Sequence, residues 1–300
     1  MFNQVRREAT ATLAQSITRT ASKQTYYTGR LMVDKDLVSD FYRAYAYFRW
    51  SDDMIDASSL SSGERIDFIK RQSGLIDRLY NHDCSDDLTP EEEILADLIY
   101  YDKGENSGLQ SFIRNMFAII EFDTYRKDRL IRENELNWYT NTLAISVTDG
   151  LQYFVGNGSL IPASDTRYSA ALGAHITHLL RDMIQDIQDG FINIPKEYLE
   201  AHNINPNEVS AAPYKDWVRT RVELARAYFL EGKQYLDNLG VLRTKIVGHW
   251  YCARFESVLD TIERDRYILR SNYNERGKIS TWLKIAWLGL YITLRHYVRR

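Results

Sequence analysis

Five prolines and fifteen glycines in 300 residues leave few places where a helix has to stop. Proline removes a backbone donor and clashes with the preceding turn, and glycine loses the most entropy on ordering, so both interrupt helices. Turn-rich β architectures need many more of them. The chain therefore reads as all-α, built from long helices that meet at sparse breakers. A hydrophobic share of 44% supplies a large core. No linker, repeat or low-complexity tract divides it, so residues 1–300 read as one domain. Within it, residues 1–15 form a looser N-terminus and 280–300 a C-terminal amphipathic helix.

The breakers and caps place the elements. A first helix follows Phe2, and the SKQTYYTG stretch after it reads as looser. Asp36–Ala57 has the pattern of a long amphipathic helix ending near Ser58 and Ser59, and Ser62–Tyr80 follows. Thr89-Pro90-Glu91-Glu92-Glu93 is a helix start, with a threonine cap, proline in the first turn and acids at the positive end of the dipole. Gly104–Gly108 breaks the chain before a helix through Tyr125, and Glu133–Phe154 runs to the GNGS turn at Gly156–Ser159. Ser164 is expected to cap a helix reaching Asp189, where Gly190 ends it. Phe191–Pro195 should be extended, because residues before proline avoid the helical region. A loop holding Pro206 and Pro213 leads to a helix at Asp216–Asn238, and Gly240 separates this from a helix through Arg270.

Composition excludes several classes of function. A net charge of −3 offers no basic field for nucleic acid. Cys84 and Cys252 form neither a CxxC motif nor a disulfide framework, which fits a reducing, cytoplasmic compartment. The polar N-terminus has no apolar stretch of the kind a secretory signal needs, and Glu8 argues against a transit peptide. No run reaches the ~18 apolar residues of a membrane span. Trp282–Leu294 comes nearest but contains Lys284. A terminal helix packed on the core is the plainer reading of it. Its Trp282, Trp287 and Tyr291, followed by Arg295, His296, Arg299 and Arg300, also suit a helix lying peripherally at a membrane surface.

Two aspartate pairs carry the chemistry. Asp52 and Asp56 lie in RWSDDMIDA, and Asp182 and Asp186 in LLRDMIQDIQDG. Spacing of i, i+4 puts both carboxylates of a pair on one helix face, about a turn apart. Such charges often mark a solvated face, but Phe48, Trp50, Met54 and Ile55 leave the first pair little room for a wide one. Each pair follows an arginine, Arg49 or Arg181. The pattern suggests two acidic ledges facing one another, with oxygen ligands of the kind Mg²⁺ prefers when it bridges carboxylates to substrate phosphates. A metal-dependent enzyme acting on a diphosphate is the resulting expectation, with Mn²⁺ as the alternative ion.

YRAYAYFRWSDDMIDA resembles the first aspartate-rich motif of the squalene/phytoene synthase family, YAYCRRxDxxxD, and THLLRDMIQDIQDGFINIP resembles the second, TNILRDxxxDxxxGRIYLP. SITRTASKQTYY, ELNWYTNTLAISV and YCARFESVLDTIERDRYIL are similar, in the same order, to three further family segments. Together they cover about Ser16 to Arg270. The resemblance implies an all-α class I isoprenoid-synthase fold and head-to-head joining of two allylic prenyl diphosphates, farnesyl or geranylgeranyl, through a cyclopropylcarbinyl diphosphate. It implies that Asp52, Asp56, Asp182 and Asp186 hold Mg²⁺, that Arg49 and Arg181 anchor diphosphate, and that Ser22 and Lys23 contact phosphate. Tyr45 and Tyr267 match tyrosines bordering the site, although ordinary core aromatics explain them equally well in a chain with 21 tyrosines. No dinucleotide-binding motif is legible, so NADPH use is left open, as are oligomeric state and substrate chain length.

Several positions depart from the family pattern. His178 stands where the family has a metal-holding asparagine, and His175 where it has a glutamine. Imidazole suits Mg²⁺ less well than an amide oxygen, which leaves His178 to bind a diphosphate oxygen or to be satisfied by a helix neighbour. Phe191 and Asn193 replace the arginine and tyrosine of GRIYLP, Asp189 replaces a commonly basic residue, and Ile145 adds bulk where the family has glycine. These changes bear on the product. They keep in view a cyclase or lyase acting on one prenyl diphosphate, and a non-catalytic relative acting as an assembly factor. Asp52→Asn or Asp182→Asn is expected to abolish turnover while leaving stability similar or higher, by relieving like-charge repulsion.

Overall fold

In a computed structural model, the structure describes residues 2–57, 60–83, 87–102, 104, 107–159, 162–273 and 279–298, with residues 2–3 and 279–286 described by their backbone. The expected helix end at Ser58 and Ser59, Cys84, Arg299, Arg300 and the side chains of Trp282 and Lys284 lie outside this description. The all-α expectation holds. The described residues form helices α1 (Phe2–Ala21), α2 (Lys23–Met32), α3 (Val38–Asp56), α4 (Ser62–Tyr80), α5 (Pro90–Tyr100), α6 (Gly108–Arg126), α7 (Glu133–Val155), α8 (Ser169–Gln188), α9 (Lys196–His202), α10 (Ala212–Asn238), α11 (Leu242–Arg264) and α12 (Ile279–Val298). Among the described residues the one sheet is a two-residue parallel ladder in which β1 (Arg129–Leu130) pairs with β2 (Phe191–Ile192).

The chain divides into two compact units. The first comprises residues 1–125 and 149–158, and the second residues 126–148 and 159–300. In the first, α3 packs between α1 and α5. Its buried face carries charge that is fully paired. Arg43 is 0% exposed, and donates to Asp40 at 2.7 Å, to the Arg7 carbonyl at 2.6 Å and to Thr10 Oγ1 at 3.3 Å. Thr10 donates to Asp97 at 2.6 Å, which also accepts from Arg6 at 2.7 Å. One turn on, Tyr47 donates to Gln72, and Gln72 to Glu92 at 2.7 Å, tying α3 to α4 and α5. Buried charges and polar groups are tolerated only when so satisfied, and these bonds lock the rotation of α3.

In the second unit α8 lies against α10 and α11, and α12 against α11. Gly232 allows α10 to approach α8, because a Cβ there would stand 2.4 Å from the Ala170 nitrogen.

Five local expectations need correction. Residues 2–15, expected as part of a looser N-terminus, belong to α1, anchored by the bonds of Arg6 and Thr10 to Asp97. SKQTYYTG is helical, because the Ser22 hydroxyl accepts from the Thr25 amide at 3.1 Å and starts α2. Ser164 caps only a turn, accepting from the Thr166 amide, and α8 begins five residues later without a side-chain cap. Residues 196–202 form α9 rather than loop, and α10 starts at Ala212 with Pro213 inside its first turn. The helix after Gly240, α11, stops at Arg264, not Arg270. Arg266 and Tyr267 turn left-handed there, with φ of 55° and 63°, and the Tyr267 amide bonds back to the Ile262 carbonyl at 2.9 Å. No glycine or proline marks that end, which is why the pattern ran past it.

Candidate active site

On α3, steps of 100° per residue put Tyr45, Arg49, Asp52 and Asp56 within an arc of about 60°. Asp40, Arg43 and Tyr47 occupy the opposite, locked side, so the acid stripe turns away from the core of its unit. Arg49 donates to Asp53 through both Nε and Nη2, and its Nη1 stands 3.8 Å from Asp52 Oδ2. Tyr45 is half-buried, one turn before Arg49. Asp52 faces more negative charge than Arg49 balances. Burial first, then Asp56, and further Asp53 and Asp123, raise its carboxyl to about 6 against the pull of Arg49. Asp123, on α6, is a member of this cluster that the sequence did not advertise, because it lies outside any repeated spacing.

Ser22 and Lys23 sit at the start of α2, with the Ser22 hydroxyl engaged in capping. A phosphate contact there would compete with the cap or use Lys23.

On α8, His175, His178, Asp182, Asp186 and Asp189 share an arc of about 80°. Asp182 is held by both neighbours. Arg181 donates to it from Nε and Nη2, and His178 Nε2 lies 2.8 Å from Oδ2. Burial disfavours its charge, but the Arg181 and His178 hydrogen bonds outweigh that and hold the carboxyl well below the usual carboxylate range. The structure thus shows His178 in the role of a helix neighbour's partner. His175 is 5% exposed, and neither ring nitrogen has a hydrogen-bond partner. Burial, then His178 and Arg126, keep it neutral. Arg254 of α11 is a further cation at this ledge, its pKa lowered by burial and then by the nearby Arg181.

The departures at Phe191 and Asn193 form one arrangement. Gly190 has φ of 91° and its carbonyl accepts from the Asp128 amide at 2.8 Å, while a Cβ would lie 2.3 Å from Asp128 Oδ1. Only glycine fits that turn. The β1–β2 ladder and the Lys196 amide on the Ile131 carbonyl, at 2.7 Å, then fix the strand after it. Asn193 lands fully buried, accepting from Arg126 Nη1 at 2.8 Å and donating to Asp186 Oδ2 at 2.8 Å. The Arg126 guanidinium lies 5.1 Å from the Phe191 ring centre and 4.7 Å from that of Tyr139. Arg126 thus places a buried cation behind Asp186, by way of Asn193. Nothing in its own neighbourhood, DTYRKD, signals this.

Tyr267 stands beyond the end of α11, its ring 5.0 Å from the Arg219 guanidinium. Ile145 is half-buried on α7, and Cys252 is a buried thiol pushed up to about 12, chiefly by burial.

The squalene/phytoene synthase family model matches residues 18–282. The chain belongs to that family. Its members are prenyltransferases. A 15-cis-phytoene synthase from Synechocystis is 25% identical over 289 residues, covering 88% of this chain and 81% of that protein. A squalene synthase from Alicyclobacillus acidocaldarius shares the fold at a TM-score of 0.71 and 17% identity, covering 89% of this chain and 97% of its own. A dehydrosqualene synthase solved with a ligand matches at 0.68 and 14% identity over 98% of both chains.

The donor sets fit hard divalent cations, which take carboxylate oxygens. Asp52, Asp56 and Asp123 are oxygen donors whose mutual repulsion a cation would relieve. Among the described residues, no three acidic, imidazole or thiol groups already converge on one point.

Proposed function

We propose that this single-domain chain is a Mg²⁺-dependent prenyltransferase that joins two allylic prenyl diphosphates, farnesyl or geranylgeranyl, head to head. The product is of the phytoene, dehydrosqualene or squalene type, formed through a cyclopropylcarbinyl diphosphate. The observation that carries this reading is the crowding of Asp52 by other carboxylates, which adds to burial in raising its pKa. Asp53, Asp56 and Asp123 all act on Asp52 with the same sign, and a polyanionic substrate would be repelled there without added positive charge.

Mg²⁺, or Mn²⁺ in its place, would be held by Asp52 and Asp56 and by Asp182 and Asp186, and would supply charge neutralisation for the departing diphosphate. The remaining roles belong to the chain. Arg49 and Arg181 exchange their present carboxylate partners for phosphate oxygens, which a planar guanidinium binds in the same two-pronged way. Lys23 and the Ser22 hydroxyl contact phosphate at the start of α2. His178 is positioned to follow Asp182 or to donate to a diphosphate oxygen. Asn193 keeps Asp186 aimed, by the hydrogen bond it donates to Oδ2. The aromatic faces of Tyr45 and Tyr267 stabilise allylic cation without reacting with it.

Ile145 favours a second reading. Bulk in place of glycine on α7 shortens the room for a prenyl chain, which suits a cyclase or lyase acting on one diphosphate. Purified protein incubated with farnesyl or geranylgeranyl diphosphate and Mg²⁺, with and without NADPH, separates the two. A C30 or C40 hydrocarbon supports condensation, and a C15 or C20 product supports the single-substrate reaction. Absence of pyrophosphate release from either substrate would overturn both.

A further inference from the structure

The exposed side of α12 is apolar from Trp287 to Val298. Trp287, Leu290, Tyr291, Leu294, Tyr297 and Val298 fall within an arc of about 120°. Their exposures run from 50% for Leu290 to 85% for Val298. The opposite side is the packed one. Ile292 is buried, and Gly289 lies so close to Trp250 of α11 that a Cβ would come within 2.9 Å of the indole. The stripe is therefore not a core face awaiting α11, which already has its own.

Beside one edge of the stripe opens a pocket of about 310 Å³, whose lining includes Asp237, Lys245, Ile292, Arg295 and His296. Its one carboxylate is already balanced. Asp237 accepts from Arg295 Nη1 at 2.8 Å and lies 3.0 Å from His249 Nε2. Lys245 Nζ donates to the Asp237 main-chain carbonyl at 2.8 Å, which places a second cation beside Arg295 in the lining. Residues 279–300 contain Lys284, Arg295, Arg299 and Arg300 and no aspartate or glutamate.

We propose that α12 is a bilayer-docking helix, with the stripe from Trp287 to Val298 immersed at the headgroup boundary and the Lys245–Arg295–His296 pocket receiving the phosphate of an anionic phospholipid. Three features select this occupant. Tryptophan and tyrosine interleaved with leucine favour the membrane interface, where an apolar ring and a polar edge are both accommodated. The all-basic charge of the segment complements anionic lipid, whereas apposing two copies of the same helix would bring like charges together. The helix also lies on a membrane rather than spanning one, since no described helix is long and apolar enough to cross. The pocket sits at the flank of the immersed face, the level at which lysine and arginine meet headgroups.

Co-sedimentation of the full-length protein with vesicles tests this. Phosphatidylcholine vesicles containing a third phosphatidylglycerol are expected to bind it at least tenfold more tightly than pure phosphatidylcholine. Tyr291→Glu with Leu294→Glu, both solvent-exposed, should lose at least tenfold on either vesicle while melting like the parent. Lys245→Glu should lose the preference for phosphatidylglycerol and keep the residual binding to the neutral vesicle. The proposal is overturned if the stripe variant binds vesicles as the parent does, or if the parent ignores vesicles and self-associates through the stripe. Inorganic phosphate binding in the pocket without vesicle binding also overturns it.

Discussion

Asn193 donates to Asp186 at 2.8 Å while accepting from the buried Arg126 at the same distance. An amide with one donor and one acceptor directed this way transmits the field of a cation to a carboxylate without placing the cation in the site. A tyrosine at this position, as the family motif has, offers one hydroxyl in place of an amide's separate oxygen and NH₂ group.

On the proposal that Asp186 holds Mg²⁺, Asn193→Ala should cut kcat/KM about 10–100-fold and raise the Mg²⁺ concentration for half-maximal activity, since partners of metal ligands orient them. It should also cost about 1–3 kcal/mol of stability, because Arg126 loses its amide acceptor in the interior. Steady-state kinetics across a Mg²⁺ titration, with urea unfolding alongside, checks both. A kinetic change with unaltered Mg²⁺ dependence would refute the orienting role.

Asp52 makes the metal-free protein more stable in mild acid. Its folded pKa of about 6 lies above the ordinary carboxylate value of ~4. The proton is therefore bound more tightly in the folded state, and the penalty is fully present above about pH 6 and absent below about pH 4. Its side chain is 51% exposed, which moderates the size of the effect. In chelator, Asp52→Asn should melt higher than the parent at pH 7.5, and the gap should narrow by pH 5. A gap that does not change with pH removes Asp52 as its cause.

Asp182→Asn should behave oppositely, against the expectation from spacing alone. Its carboxylate is favoured in the fold by Arg181 and His178, so its stabilisation is present above pH ~4 and is lost as pH falls through its lowered folded pKa. Removing the charge at neutral pH strands Arg181 and should cost about 1–2 kcal/mol, discounted for partial exposure. Both aspartate variants should lose turnover, so thermal melts are what separate them. Stabilisation by Asp182→Asn would show the Arg181 pair to be without value.

Arg43→Met leaves the Arg7 carbonyl without its guanidinium donor and Asp40 with only the longer Arg7 ion pair at 3.9 Å. Breaking such a buried pair costs about 3–5 kcal/mol. Urea unfolding followed by circular dichroism should register the loss with the helical signature intact. A cost under about 1 kcal/mol would mean that the network does not fix α3.

The helical class, most helix starts and the two acid stripes were legible because each rests on local rules. Sparse breakers, the Thr89-Pro90 start and i, i+4 spacing act within a few residues of chain. The left-handed stop at Arg266 and Tyr267 was not legible, since neither residue is a conventional breaker. Nor was the direct start of α2 at Ser22, where one hydroxyl turned an apparently loose segment into helix.

By itself the sequence determined that Asp52 and Asp56, and Asp182 and Asp186, would stand as ordered pairs in the squalene/phytoene synthase pattern. Only the tertiary structure decided how each carboxylate is treated. Asp52 is crowded by Asp123 from a helix some seventy residues away, Asp182 is neutralised by its own neighbours, and Asp186 is steadied by Arg126 through Asn193. Spacing along a helix sets which way a side chain projects. Its charge state is set by burial and by groups that only folding brings near.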